Sequence, residues 1–253
     1  MTELSEITKF LDHYLKIDTI ADSSFNGLQV EGTQKVKKIA LAVDACKEVF
    51  IKAKDKEADF VLVHHGLFWR EDNPHAIGVM KKRLELLIKN DISLYAVHLP
   101  LDVHKEVGNN ITLAKQLGLE IIGDFASYHG VLCGVYGTLK EEMQLDEFIK
   151  LAEEKIGKIT TKHLFGKERI KTVGVVSGGG AFGVNDMEKY GIDILLSGEP
   201  KHQVYNLTKD IGVNAIYAGH YTTETFGVIA LGEKLKEEFP DIDIEFVDNP
   251  TGL

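Results

Sequence analysis

The apolar positions of the chain begin at helical spacing. Leu4, Ile7, Leu11, Tyr14 and Leu15 recur three and four residues apart, which predicts an amphipathic opening helix. Asn26-Gly27-Leu28-Gln29-Val30 then reads as a turn leading into extended chain. Beyond it, short apolar runs at residues 39–43, 60–63, 94–97, 131–139, 173–176, 192–196 and 215–218 alternate with helical patterns. Two of these patterns cover residues 80–89 and 145–156, the second followed by Gly157 as a C-cap. Such alternation predicts an α/β fold with parallel or mixed sheets flanked by helices.

A chain of 253 residues accommodates one large or two modest domains. Two are expected. The best seam is at residues 122–130, where Gly123, Asp124, Ser127, His129 and Gly130 cluster between patterned regions. That places a metal-site α/β domain at 1–126, with 220–253 packing back on it, and a smaller α/β domain at 127–219. Lys and Arg number 29 against 39 Asp and Glu, a net charge of −10, which disfavours a broad nucleic-acid or anionic-membrane footprint. No run reaches the ~20 apolar residues of a membrane span, and the first ten residues do not read as a signal peptide, so a cytoplasmic protein is expected. Cys46 and Cys133 are expected as reduced thiols.

Ligands of open α/β sheets bind beyond the carboxyl ends of the strands. The run at 60–63 ends in His64-His65-Gly66; that at 94–97 in His98-Leu99-Pro100-Leu101-Asp102; that at 215–218 in Gly219-His220, with Glu224 four residues on. Adjacent histidines on extended chain point to opposite sides. If both face one site, the strand end bends, which Gly66 would ease, or two metals are held. His220 and Glu224 share a helical face if a helix starts near Thr222 as its N-cap. Three imidazoles and two carboxylates suit two divalent ions of the Zn, Fe, Mn or Ni type. Each piece also has a bland reading: strand-end histidines as satisfied polar residues, Asp102 as a turn residue, Glu224 as a partner of the helix dipole. By spacing alone the two readings balance.

Asn26-Gly27-Leu28-Gln29-Val30, His64-His65-Gly66 with Phe68-Trp69, His98-Leu99-Pro100-Leu101-Asp102, Gly108-Asn109-Asn110, Ser197-Gly198-Glu199 and Gly219-His220-Tyr221-Thr222-Thr223-Glu224 occur in this order. Together they resemble the successive motifs of the Nif-three-like family, also known as GTP cyclohydrolase I type 2 homologs. The resemblance implies two α/β domains with a dinuclear metal site in the cleft between them, and assembly into a homo-hexamer. It carries the metal ligands onto His64, His65, Asp102, His220 and Glu224, with none substituted.

His98 is a candidate proton-moving group, a partner that orients a ligand, or a structural residue at the strand end. Glu199 and His202, past another strand end, are candidates to touch a small-molecule substrate, and Glu199 is a further candidate to move protons. Trp69, the only tryptophan, would wall the site or pack. A competing motif is Gly178, Gly180 and Gly183, which spell a dinucleotide fingerprint after the run at 173–176, although the helix that should follow is short. Two functions are therefore carried. One is a metal-dependent hydrolase of a nucleotide or phosphate-bearing small molecule, GTP cyclohydrolase-like by resemblance. The other is a non-enzymatic metal-binding assembly or regulator acting through a protein partner.

Overall fold

The computed structural model describes residues Met1–Leu253. In chain order the first elements are β1 (Thr2–Glu3), α1 (Leu4–Leu15), β2 (Gly27–Val30), β3 (Lys35–Val36), β4 (Lys38–Asp44), α2 (Lys47–Asp55), β5 (Phe60–His65), α3 (Gly78–Lys89), β6 (Ser93–Ala96) and α4 (Leu99–Asp102). Then come α5 (Asn109–Gln116), β7 (Glu120–Tyr128), β8 (Val131–Gln144), α6 (Leu145–Lys155), β9 (Thr161–Leu164), β10 (Arg169–Val176), α7 (Met187–Tyr190), β11 (Ile194–Ser197), α8 (His202–Ile211), β12 (Asn214–Tyr217), α9 (His220–Glu238) and β13 (Asp243–Phe246). The chain divides into two compact units, Met1–Leu101 with Val228–Asn249 and Asp102–Gly227 with Pro250–Leu253. Residues 122–130, where the sequence suggested a seam, lie in β7 and its turn into β8. Their polar and glycine residues mark a hairpin turn and a register shift rather than a linker.

The first unit is built on a five-stranded sheet in the order β13-β4-β5-β6-β2. Its first four strands are parallel and β2 runs antiparallel at the β6 edge. The apolar run of β5 is buried throughout because helices cover both faces. Ala40, Ala42, Val61, Val63, Leu94 and Ala96 pack with Val49, Phe50 and Ala53 of α2 and Leu87 of α3. The opening helix has the expected extent and buries Leu4, Ile7, Leu11 and Leu15. At its middle Asp12 accepts a hydrogen bond of 2.8 Å from the Tyr95 hydroxyl of β6.

The second unit carries a six-stranded sheet in the order β7-β8-β10-β11-β12-β9, with β10, β11 and β12 parallel. Side-chain alternation sends Ile194 and Leu196 of β11 into one core with Phe148, Ile149 and Ala152 of α6. Leu195 enters the opposite core with Phe125, Met187, Val204 and Tyr217. Both cysteines are free thiols, as expected. No helix is long and apolar enough to cross a membrane.

Candidate metal centre

In the first unit β5 delivers His64 and His65 at its carboxyl end, and the residue that follows Val97 beyond β6 is His98. The neighbouring His64 and His65 rings do not diverge: their centroids are 4.6 Å apart, and His98 lies 5.1 Å from the first and 5.7 Å from the second. The ligand nitrogens of the three fall within 4.8 Å of one another. The glycine that follows permits this, because a Cβ on Gly66 would stand 2.4 Å from the Gln29 amide and 2.5 Å from Ala96 Cβ. Gln29 holds that loop, accepting from Leu67 N–H at 2.7 Å and donating to Phe25 carbonyl at 2.7 Å.

Each imidazole of this group is oriented by a specific acceptor. His64 Nδ1 donates to the Val97 carbonyl at 2.9 Å, His65 Nδ1 to Asp44 Oδ1 at 2.8 Å, and His98 Nδ1 to Asp22 Oδ1 at 2.9 Å. A neutral ring with its proton fixed on Nδ1 presents the Nε2 lone pair, the form a metal takes. Asp22 is a hub: it also accepts from the N–H groups of Ser24 and Leu99 and from the Asn26 side chain, at 2.9–3.0 Å. Burial raises its carboxyl pKa, but the His98 hydrogen bond and charge, with Asn26 and Ser24, outweigh it and pull the value down to about 2. Trp69 stands beside the group, 5.0 Å from His98 between ring centroids, and donates from Nε1 to the Gly66 carbonyl.

In the second unit Asp102, His220 and Glu224 come together. The Asp102 and Glu224 carboxylates approach within 4.8 Å, and His220 Nε2 is 3.1 Å from Glu224 Oε1. Asp102 Oδ1 accepts from Asn109 Nδ2 at 2.9 Å and Ser177 Oγ at 3.2 Å. Asn109 Oδ1 in turn accepts from Gly227 N–H at 2.7 Å, and Asn110 bridges the Asp102 carbonyl and Ser177 N–H. These contacts account for Gly108-Asn109-Asn110 in the sequence. Helix α9 starts at His220, two residues earlier than the expected Thr222 cap, so His220 and Glu224 occupy its first turns. Thr222 accordingly lies inside the helix, and Thr223 Oγ1 accepts from Gly178 N–H at 2.9 Å.

Gly178 has a left-handed φ of 54°, and a Cβ there would stand 2.0 Å from Glu224 Oε1 and 2.9 Å from His220 Nε2. Glu199 is half-buried, its Oε2 3.4 Å from His220 Nδ1. Burial alone would lower the His220 pKa, but the Glu224 hydrogen bond and charge, then those of Glu199, raise it to about 9. His202 is exposed at the first position of α8. All donors in both groups are imidazole or carboxylate, with no thiolate, a set that fits divalent ions of the Zn, Fe, Mn or Ni type.

A family model described as Duf34/NIF3 (NGG1p interacting factor 3) matches residues 2–251. The chain belongs to the NIF3 family. Among the relatives of this NIF3 chain, a protein of Archaeoglobus fulgidus is 42% identical over 250 residues, covering 99% of both chains. A protein of Pyrococcus horikoshii is 45% identical over 249 residues, covering 98% of both. Each is named GTP cyclohydrolase 1 type 2 homolog. Two solved structures cover the whole chain: protein ybgI, of unknown function, with TM-score 0.93 at 33% identity, and a Thermus thermophilus protein with TM-score 0.87 at 41%.

In this NIF3 chain the dinucleotide fingerprint has another purpose. Gly178 clears space for Glu224 and His220, while residues 180–186 form a 3-10 helix that runs into the four-residue α7. A dinucleotide loop needs a full helix at that point to present its N-terminus to the pyrophosphate. Sequence reasoning missed Asp22 and Asp44, which orient histidines, and Ser177, which donates to Asp102. The only signal for them was their place next to strands and turns.

Proposed function

We propose that this protein is a metal-dependent hydrolase acting on a nucleotide or another phosphate-bearing small molecule. In this reading His64, His65, Asp102, His220 and Glu224 together hold two divalent ions. The observation that carries it is the paired design of the donors: His64 and His65, each aimed by an acceptor on Nδ1, and Asp102 and Glu224, buried and within 4.8 Å of one another. Buried carboxylates and oriented imidazoles are costly unless something cationic engages them. Bound there, two ions would supply Lewis acidity toward a substrate oxygen and lower the pKa of water.

The chain's own residues do the rest. Asp44 and the Val97 carbonyl hold the two imidazoles in one tautomer, and Ser177 and Asn109 hold the Asp102 carboxylate. His98, backed by Asp22, and Glu199, beside His220, are the groups we assign to proton movement. The names of the relatives support GTP as a substrate to test, with ring opening and formate release as the reaction. The assay is turnover of GTP and a phosphoester panel by protein loaded with Zn, Fe, Mn or Ni, then stripped by chelator and reloaded. Turnover that follows metal occupancy supports the hydrolase. A fully loaded protein inert across the panel would move the weight to a non-enzymatic metal-binding assembly, the role suggested by the interacting factor in the family's description.

A further inference from the structure

We propose that Lys201, set against the bare backbone of Gly179, forms an anion subsite beside His220 that receives a phosphate group of the substrate; the assignment deepens the hydrolase reading and rests on it. Parallel strands β10, β11 and β12 end side by side, and the residues that leave them are laced together. Gly198 and Glu199 N–H donate to the Gly178 carbonyl at 3.1 and 3.0 Å, and Gly219 N–H donates to the Gly198 carbonyl at 2.8 Å. Lys201 therefore projects from a fixed loop. It precedes α8 in extended conformation and is half-buried.

The side-chain position that Gly179 lacks is ringed by three different groups. A Cβ there would stand 3.6 Å from Glu199 Oε1, 3.8 Å from Lys201 Nζ and 3.9 Å from His220 Cε1. The absence of a side chain leaves the backbone accessible at a point where a cation is already in place. No carboxylate comes within ion-pair distance of Lys201, even though Glu199 shares the same rim and acidic residues outnumber basic ones by ten across the chain. A lysine without an ion-pair partner, beside the half-buried Glu199, is placed for an anion that arrives with the ligand. Lysine is a flexible point charge suited to phosphate, and glycine backbone lets phosphate oxygens approach closely. A phosphate held here would lie next to His220 and Glu199, beside the groups to which the reading above assigns the chemistry.

The test is calorimetric titration of inorganic phosphate into native protein, Lys201→Ala and Lys201→Arg, with metal content and thermal midpoint measured on the same samples. The subsite predicts affinity about tenfold weaker or worse in Lys201→Ala and largely restored in Lys201→Arg, with metal content unchanged. Equal phosphate affinity in native protein and Lys201→Ala overturns the subsite, whether metal is bound or not. A native protein that retains no metal contradicts the metal-centre reading instead, and Lys201-dependent binding is then judged on metal-free protein by the same comparison.

Discussion

Asp44 and Asp22 are not among the proposed metal ligands, yet their oxygens decide how His65 and His98 stand. Asp44→Asn removes the carboxylate behind His65 Nδ1 while keeping the volume. Metal affinity should fall by about 10- to 100-fold, read by competition with a chromogenic chelator, while the fold persists. Asp22 makes a pH prediction. Its carboxyl is pulled below the ordinary 3.8 to about 2, so its stabilisation is complete above the ordinary value and disappears as pH falls through about 2. The urea midpoints of native protein and Asp22→Asn should therefore differ at pH 6 and converge between pH 4 and 2. A gap that stays constant over this range would show that the charge of Asp22 is irrelevant. The candidate donors stood out in the sequence because they cluster just beyond apolar runs, but spacing alone left the metal and structural readings balanced, and the ligand set came from the family resemblance. Asp22 did not stand out, because its partner His98 lies 76 residues away and nothing local marks the pairing.

The elements themselves were legible where hydrophobic periodicity was strong. Helix α1 and the apolar runs behind β4, β5, β10 and β12 bury the residues their patterns single out. Short edge strands were not legible: β9 and β13 are four residues each, and neither has the continuous apolar run of a strand buried on both faces. The β7–β8 hairpin was hidden for a related reason, since its turn chemistry resembles a linker when read alone. Gly178→Ala would force a side chain into a left-handed backbone and against Glu224. The loss should reach about 2 kcal/mol or more in chemical denaturation, accompanied by loss of metal binding. A stable variant with native metal content would mean that the β10 loop is free to move away.

At the scale of the whole molecule, the resemblance to the NIF3 family implies a hexamer, which light scattering should report at about 169 kDa, six times the 28.1 kDa chain. A monomer or dimer at micromolar concentration would remove that assembly from the account. Charge and composition constrained the molecule without choosing its chemistry, since a net charge of −10 disfavours a nucleic-acid surface but fits many soluble enzymes and binding proteins alike. The proposed dinuclear centre draws on His64, His65, Asp102, His220 and Glu224. Metal content per chain by plasma mass spectrometry tests it directly, on native protein, His65→Ala and Asp102→Ala, each gel-filtered after exposure to Zn, Fe, Mn and Ni. About two ions in native protein and a clear loss in both variants are expected, although the two residues lie on different elements. Native protein without metal, or variants that keep the native complement, would contradict it.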